Sequence, residues 1–135
     1  MGVGGVKEEH RELLEQLRST RRVLVVDDHP SFRRCARALL AAEGFEVVGE
    51  AADGATALAL ADELAPELVL LDIRLPDIDG FEVASRLLAR DPELAIVLVS
   101  SRDAAEYGAL VDASGARGFV PKADLSGAAL EKLLG

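Results

Sequence analysis

Three short apolar runs, Val23 to Val26, Leu68 to Leu71 and Ala95 to Val99, carry no polar residue at alternate positions. A strand with one wet face alternates, whereas a run apolar at every position suits a strand covered on both faces, as in a parallel sheet between helical layers. Each run is followed by sequence of helical period. After the first, Phe32, Cys35, Ala36, Leu39 and Leu40 fall on one helical face, which predicts that all five are core, and Gly44 supplies a stop. Phe45 to Ala51 reads as a more exposed strand. Asp53 is placed to cap an alanine-rich helix over Ala55 to Ala65, which Pro66 ends. Gly80 to Arg90 predicts a third helix with Phe81, Ala84, Leu87 and Leu88 on one stripe. Ala104 to Ser114 predicts a weaker fourth, interrupted by Gly108, and Gly118 to Val120 a last strand. Ser126 to Leu134 closes the pattern as a fifth helix.

Five βα units are too few to close an eight-stranded barrel, which leaves the open doubly wound α/β sheet, with its crevice at the C-terminal ends of the strands. The 135 residues suffice for one domain, and with half of them apolar but only 4% aromatic the core is expected to be aliphatic. Residues 21–135 form the expected domain. Residues 1–20 stand outside the pattern: Met1 to Gly5 is glycine-rich, as in a tag remnant, and Lys7 to Arg18 has only Leu13, Leu14 and Leu17 among charges, the mark of a solvated extension that is at most a short helix. A net charge of −9 speaks against nucleic acid and anionic membranes as partners of this chain, because both are met by clustered Lys and Arg. The single cysteine, Cys35, forms no internal disulfide. No apolar run approaches the roughly 18 residues of a membrane span, so a cytoplasmic location is expected.

The chemistry sits at the strand ends. Asp27 and Asp28 follow the first buried run, Asp72 the third strand, Ser100 the fourth and Lys122 the fifth. Each alone is ordinary, since an acid after a strand is usually a cap, a serine a turn residue and a lysine a solvated cation. Together, three carboxylates, a hydroxyl and a lysine in one crevice need a further reason, because clustered carboxylates raise one another's pKa unless a cation sits among them. Mg²⁺ suits such a set: it takes carboxylate oxygens and keeps waters that phosphate oxygens displace. A carboxylate beside it can attack phosphorus while Lys122 and the Ser100 hydroxyl meet the phosphoryl oxygens.

Val-Val-Asp-Asp at 25 to 28, Leu-Leu-Asp-Ile-Arg-Leu-Pro-Asp-Ile-Asp-Gly at 70 to 80, Ser100-Ser101 and Gly-Phe-Val-Pro-Lys at 118 to 122 resemble the receiver domains of two-component response regulators. The resemblance covers about residues 21–134, and its spacings are family-like: 44 residues from Asp28 to Asp72, 28 from there to Ser100 and 22 to Lys122. It implies a five-stranded parallel sheet of flavodoxin-like order 2-1-3-4-5 with helices on both faces. It implies Asp72 as phosphoacceptor, with Asp72, Ser100 and Lys122 carrying the transfer. Asp27, Asp28, Asp72 and the Arg74 carbonyl would hold Mg²⁺, and Ser100 and Phe119 would form a switch pair. A sensor histidine kinase is the implied phosphoryl donor. The face formed by the fourth helix, fifth strand and fifth helix would dimerise or meet the output. Such a chain is a phosphoacceptor with self-directed transfer and autodephosphorylation, not an enzyme acting on a separate substrate.

Three departures stand out. Phe119 replaces the commoner tyrosine, Ser100 replaces threonine, and Ala123 takes the place of the proline that often follows the lysine. Asp-Asp-His-Pro-Ser-Phe-Arg at 27 to 33 looks like receivers joined to helix-turn-helix DNA-binding domains and hence to transcription control. No such domain follows within these residues, so either a receiver apart from its output or a single-domain regulator is expected. His29 reads as a loop residue before a helical Pro30. Arg74 and Arg102, two residues past Asp72 and Ser100, are placed to slow hydrolysis of an aspartyl phosphate. The competing functions are a phosphorylation-independent receiver used as a binding module and, less well supported, a haloacid-dehalogenase-type phosphatase. The latter's first strand carries Asp-x-Asp, not the adjacent pair seen here. A flavin carrier lacks support because no Ser/Thr/Gly-rich phosphate loop follows the first strand.

Overall fold

The structure, a computed structural model, describes residues 21–101 and 106–134. The extension before residue 21 and Arg102 therefore lie outside the described residues. Strands β1 (Arg22–Val26), β2 (Glu46–Ala51), β3 (Leu68–Asp72), β4 (Ala95–Ser100) and β5 (Gly118–Pro121) alternate with helices α1 (Pro30–Ala42), α2 (Gly54–Leu64), α3 (Gly80–Arg90), α4 (Gly108–Ser114) and α5 (Gly127–Leu134). All strand pairs are parallel and the sheet order is β2-β1-β3-β4-β5. This is the flavodoxin-like order that the sequence resemblance implies.

Period two in the strands becomes two apolar layers in the fold. Val23, Val25, Leu68, Leu70, Val97 and Val99 point to one side, where they meet Ala36 and Leu40 of α1 and Leu130 of α5. Leu24, Val26, Val69, Leu71, Ile96 and Leu98 point to the other, against Ala57 of α2, Val83, Ala84 and Leu87 of α3 and Val111 of α4. Because both sides are covered, β1, β3 and β4 show no alternation in sequence. Edge strand β2 is only partly covered, which is why its sequence admits Glu46 and Glu50.

The caps follow from local chemistry. Asp53 and Asp79 accept the amides of Thr56 (2.7 Å) and Glu82 (2.8 Å) at the starts of α2 and α3, supplying acceptors to otherwise unpaired N–H groups. Ser126 does the same for α5 through the Ala129 amide at 3.0 Å. At the other end of α2, Ala65 adopts φ +47° and the Arg22 guanidinium takes the carbonyls of Leu64 (2.6 Å) and Ala65 (2.7 Å).

One expectation needs correction. Cys35 is exposed, not core. At about 100° per residue, the buried pair Ala36 and Leu40 centre the inward face some 120° from position 35 but only about 40° from position 33, so Arg33 turns inward in its place. Of the fourth helix expected over Ala104 to Ser114, residues 104 and 105 lie outside the described residues, and the described α-helix α4 begins at Gly108. Among the described residues no peptide bond is cis, and no helix is long and apolar enough to cross a membrane.

Candidate functional site

The crevice is assembled at the C-terminal ends of the three central strands. Asp27 directly follows β1, its amide pairs with the Ala51 carbonyl of β2 at 2.9 Å, and its side chain is fully buried. Its Oδ1 accepts the His29 amide at 2.8 Å and lies 3.0 Å from His29 Nδ1. Asp28 is more open and its Oδ1 stands 3.1 Å from the same ring nitrogen. Asp72 closes β3 and is 3% exposed; its Oδ1 accepts the Arg74 amide at 3.1 Å. One donor atom from each of Asp27, Asp28, His29 and Asp72 lies within 4.8 Å of all the others.

Lys122, in the 3₁₀ turn that follows β5, reaches back over the strand ends. Its Nζ stands 2.5 Å from Asp27 Oδ2 and 3.3 Å from Asp72 Oδ2, and 4.7 Å above the centre of the Phe32 ring. A cation on an aromatic face is favourable, and Phe32 thus holds the ammonium from the α1 side. One lysine does not neutralise three carboxylates. Burial, reinforced by the charge of Asp27, lifts the Asp72 carboxyl from 3.8 to about 6, against the opposing pull of the Arg74 amide and Lys122. Asp27 Oδ2 is buried and, although ion-paired, receives no hydrogen bond of good geometry. A raised acid, a buried carboxylate oxygen held only by an ion pair and an all-oxygen donor set beside one imidazole fit a hard divalent cation.

The loop after β3 is clamped from two directions. Asp77 accepts the amides of Gly54 (2.8 Å) and Ala55 (2.9 Å) at the start of α2, and these bonds hold its carboxyl down to about 2. The Gly80 amide donates to the Ile73 carbonyl at 2.7 Å. Gly80 is so close to Asp72 that a Cβ there would collide with the Asp72 carbonyl oxygen and approach Ile73 Cα to 2.7 Å. The acid at the end of β3 and the start of α3 are in this way one packed unit.

Asp27, Asp28, Asp72 and Lys122 therefore meet as the strand-end argument expects. Ser100 ends β4, buried, beside Pro121 in register. Phe119 pairs with Leu98 and is partly buried on the α2 to α4 side of the sheet, its ring 6.5 Å from that of Tyr107. The Arg74 side chain is exposed. His29 occupies the loop position before Pro30, and its ring joins the acids as well. Arg33 and Asp77 were not legible from sequence, because each makes contacts with groups distant along the chain.

The model of the response regulator receiver domain matches residues 23–133. The chain belongs to this family. Among curated relatives, the receiver is 38% identical over 114 residues to the response regulator GacA of Pseudomonas aeruginosa, covering 84% of this chain and 51% of GacA. It spans about half the length of the curated transcription regulators it matches. Among solved structures, a LuxR-family two-component response regulator from Aurantimonas superposes with TM-score 0.76 at 32% identity, over 84% of this chain and 81% of that one. A chain of the CheX-CheY-BeF3-Mg+2 complex from Borrelia burgdorferi gives 0.75 at 25% identity, over 84% and 86%.

Proposed function

We propose that this receiver is phosphorylated on Asp72 by a sensor histidine kinase in the presence of Mg²⁺. The observation that carries the proposal is the placement of a buried, pKa-raised Asp72 at the end of the central strand, between the acids Asp27 and Asp28 and the Lys122 ammonium. A chain of similar fold from Borrelia burgdorferi was solved in a CheX-CheY-BeF3-Mg+2 complex, which supports reading this crevice as a phosphoryl site.

An Asp72 carboxylate oxygen attacks phosphorus of the donor phosphohistidine. The O–P bond forms as the N–P bond breaks, and the electron pair leaves with the imidazole, which takes up a proton. Mg²⁺ held by Asp27, Asp28, Asp72 and the Arg74 carbonyl would supply positive charge to the phosphoryl oxygens. Lys122 moves from pairing two carboxylates to meeting the new anion, and the Ser100 hydroxyl donates to it. Phe119 lies on the same face of the sheet as Ser100, so movement of Ser100 opens space toward the ring and reshapes the α4-β5-α5 face. That face would dimerise or engage the output that controls transcription in the longer relatives.

Intact-mass measurement after acetyl phosphate and Mg²⁺ tests the reading. The expected result is one added phosphoryl group, absent in Asp72→Asn and absent in EDTA. Beryllofluoride with Mg²⁺ should change hydrogen exchange in α4 and β5 more than in α1. Absence of mass gain in the wild-type chain, with an unaltered exchange pattern, would favour a phosphorylation-independent binding module.

A further inference from the structure

We propose that Arg33 is a positioning residue for the Asp27-Asp28 pair, acting through the peptide that joins them; the inference rests on the reading of these acids as the Mg²⁺ site. Arg33 lies in the first turn of α1, and its side chain is 17% exposed. Its Nη1 donates to the Asp27 carbonyl oxygen at 2.6 Å, and its Nε donates to Glu50 Oε1 at 3.1 Å. The other oxygen of Glu50 takes Nε of Arg37 at 2.9 Å. Glu50 stands on edge strand β2, opposite Val25 of β1 in register.

The consequence is mechanical. The Asp27 amide is tied to Ala51 of β2, and its carbonyl is tied through Arg33 to Glu50 of the same strand. Both ends of one residue's backbone are thereby fixed to β2 and α1. The plane of the peptide between Asp27 and Asp28 sets the direction in which the Asp28 carboxylate leaves the chain. Asp28 is the most open of the three acids and has no strand to hold it, so the brace supplies what the ladder does not. A guanidinium suits the task because its planar fork serves two acceptors at a fixed angle, which a lysine ammonium on a flexible stem does not. Supports behind the residues that hold a cation typically change its affinity by about 10- to 100-fold.

The test uses the full chain and compares wild type with Arg33→Met, which retains an apolar stem and loses the donors, with Arg33→Lys and with Glu50→Gln. Mg²⁺ affinity is read by isothermal titration calorimetry well below each unfolding midpoint. Amide hydrogen exchange of Asp28 and His29 is read in metal-free buffer. The expected outcome is Mg²⁺ binding weakened on the order of tenfold in Arg33→Met, with faster exchange at those two amides, partial recovery in Arg33→Lys, and a smaller loss in Glu50→Gln where Arg33 keeps an uncharged acceptor. Should Arg33→Met fail to fold, the Arg33→Lys and Glu50→Gln variants decide, and full wild-type affinity in both overturns the proposal. A fall in the unfolding midpoint of Arg33→Met with unchanged Mg²⁺ affinity overturns it too, because the arginine is then only a packing group. Wild-type protein that binds no Mg²⁺ overturns both this inference and the metal reading beneath it, whereas wild-type binding with an indifferent Arg33→Met overturns this inference alone.

Discussion

Replacing Asp72 with asparagine should make the metal-free protein more stable. The Asp72 carboxyl ionises at about 6 in the fold instead of 3.8 because burial and the charge of Asp27 outweigh the Arg74 amide and Lys122. An acid raised in this way is a liability above its folded value: between 3.8 and about 6 the folded chain binds more protons than the unfolded one, so stability falls as pH rises through that window and then levels. At about 1.4 kcal/mol per pH unit, the ionised group costs folding on the order of 3 kcal/mol at neutral pH. The attraction of Lys122 is already contained in that figure. Asparagine keeps an oxygen for the Arg74 amide and removes the charge, so Asp72→Asn should gain up to about 3 kcal/mol in EDTA near pH 7.5 and roughly half of that near pH 5. Urea unfolding at both values gives the comparison. Mg²⁺ should narrow the gap by stabilising the wild type more strongly than the variant. A variant no more stable than wild type at neutral pH, or one whose advantage is the same at both pH values, would refute the electrostatic account of this crevice.

Two further outcomes follow from the clamped loop after β3. Gly80→Ala places a methyl group against the Asp72 carbonyl oxygen and Ile73 Cα, backbone atoms that do not yield as a side chain does; a loss of about 1–3 kcal/mol is expected by urea unfolding, together with slower phosphoryl uptake from acetyl phosphate. Asp77→Asn removes a carboxylate that the Gly54 and Ala55 amides hold at about 2 against an ordinary 3.8. A depressed acid stabilises above its unfolded value and loses that contribution as pH falls, so the variant should be less stable than wild type at pH 7 and the two should converge between about pH 4 and 2. A stability difference that persists unchanged through that window would show that the bonds to α2 owe nothing to the charge.

Features that depend on neighbours along the chain are readable before the fold is known. Uniformly apolar runs betray strands covered on both faces, and β1, β3 and β4 lie where those runs do, because burial of a strand leaves no freedom for polar alternation. The acids, the serine and the lysine were legible as a site because each stands at the end of a strand and a doubly wound sheet brings such ends together. Asp53 as a cap was equally local, its acceptor lying three residues from its donor. Other features depend on how the elements pack. The apolar period of α1 assigned Cys35 to the core, but the direction from which the sheet approaches that helix places the inward face around Ala36 and Leu40, leaving the thiol outside and bringing Arg33 in. His29 reads as a loop residue until β1 and β3 set its ring among three carboxylates. Asp77 reads as one more acid in an acidic loop until α2 presents two free amides to it, and Arg22 as the polar start of a strand until α2 ends beside it with two open carbonyls. In each of these cases the side chain's partner is distant in sequence. Its role is set by the packing of elements against one another, which period and composition do not encode.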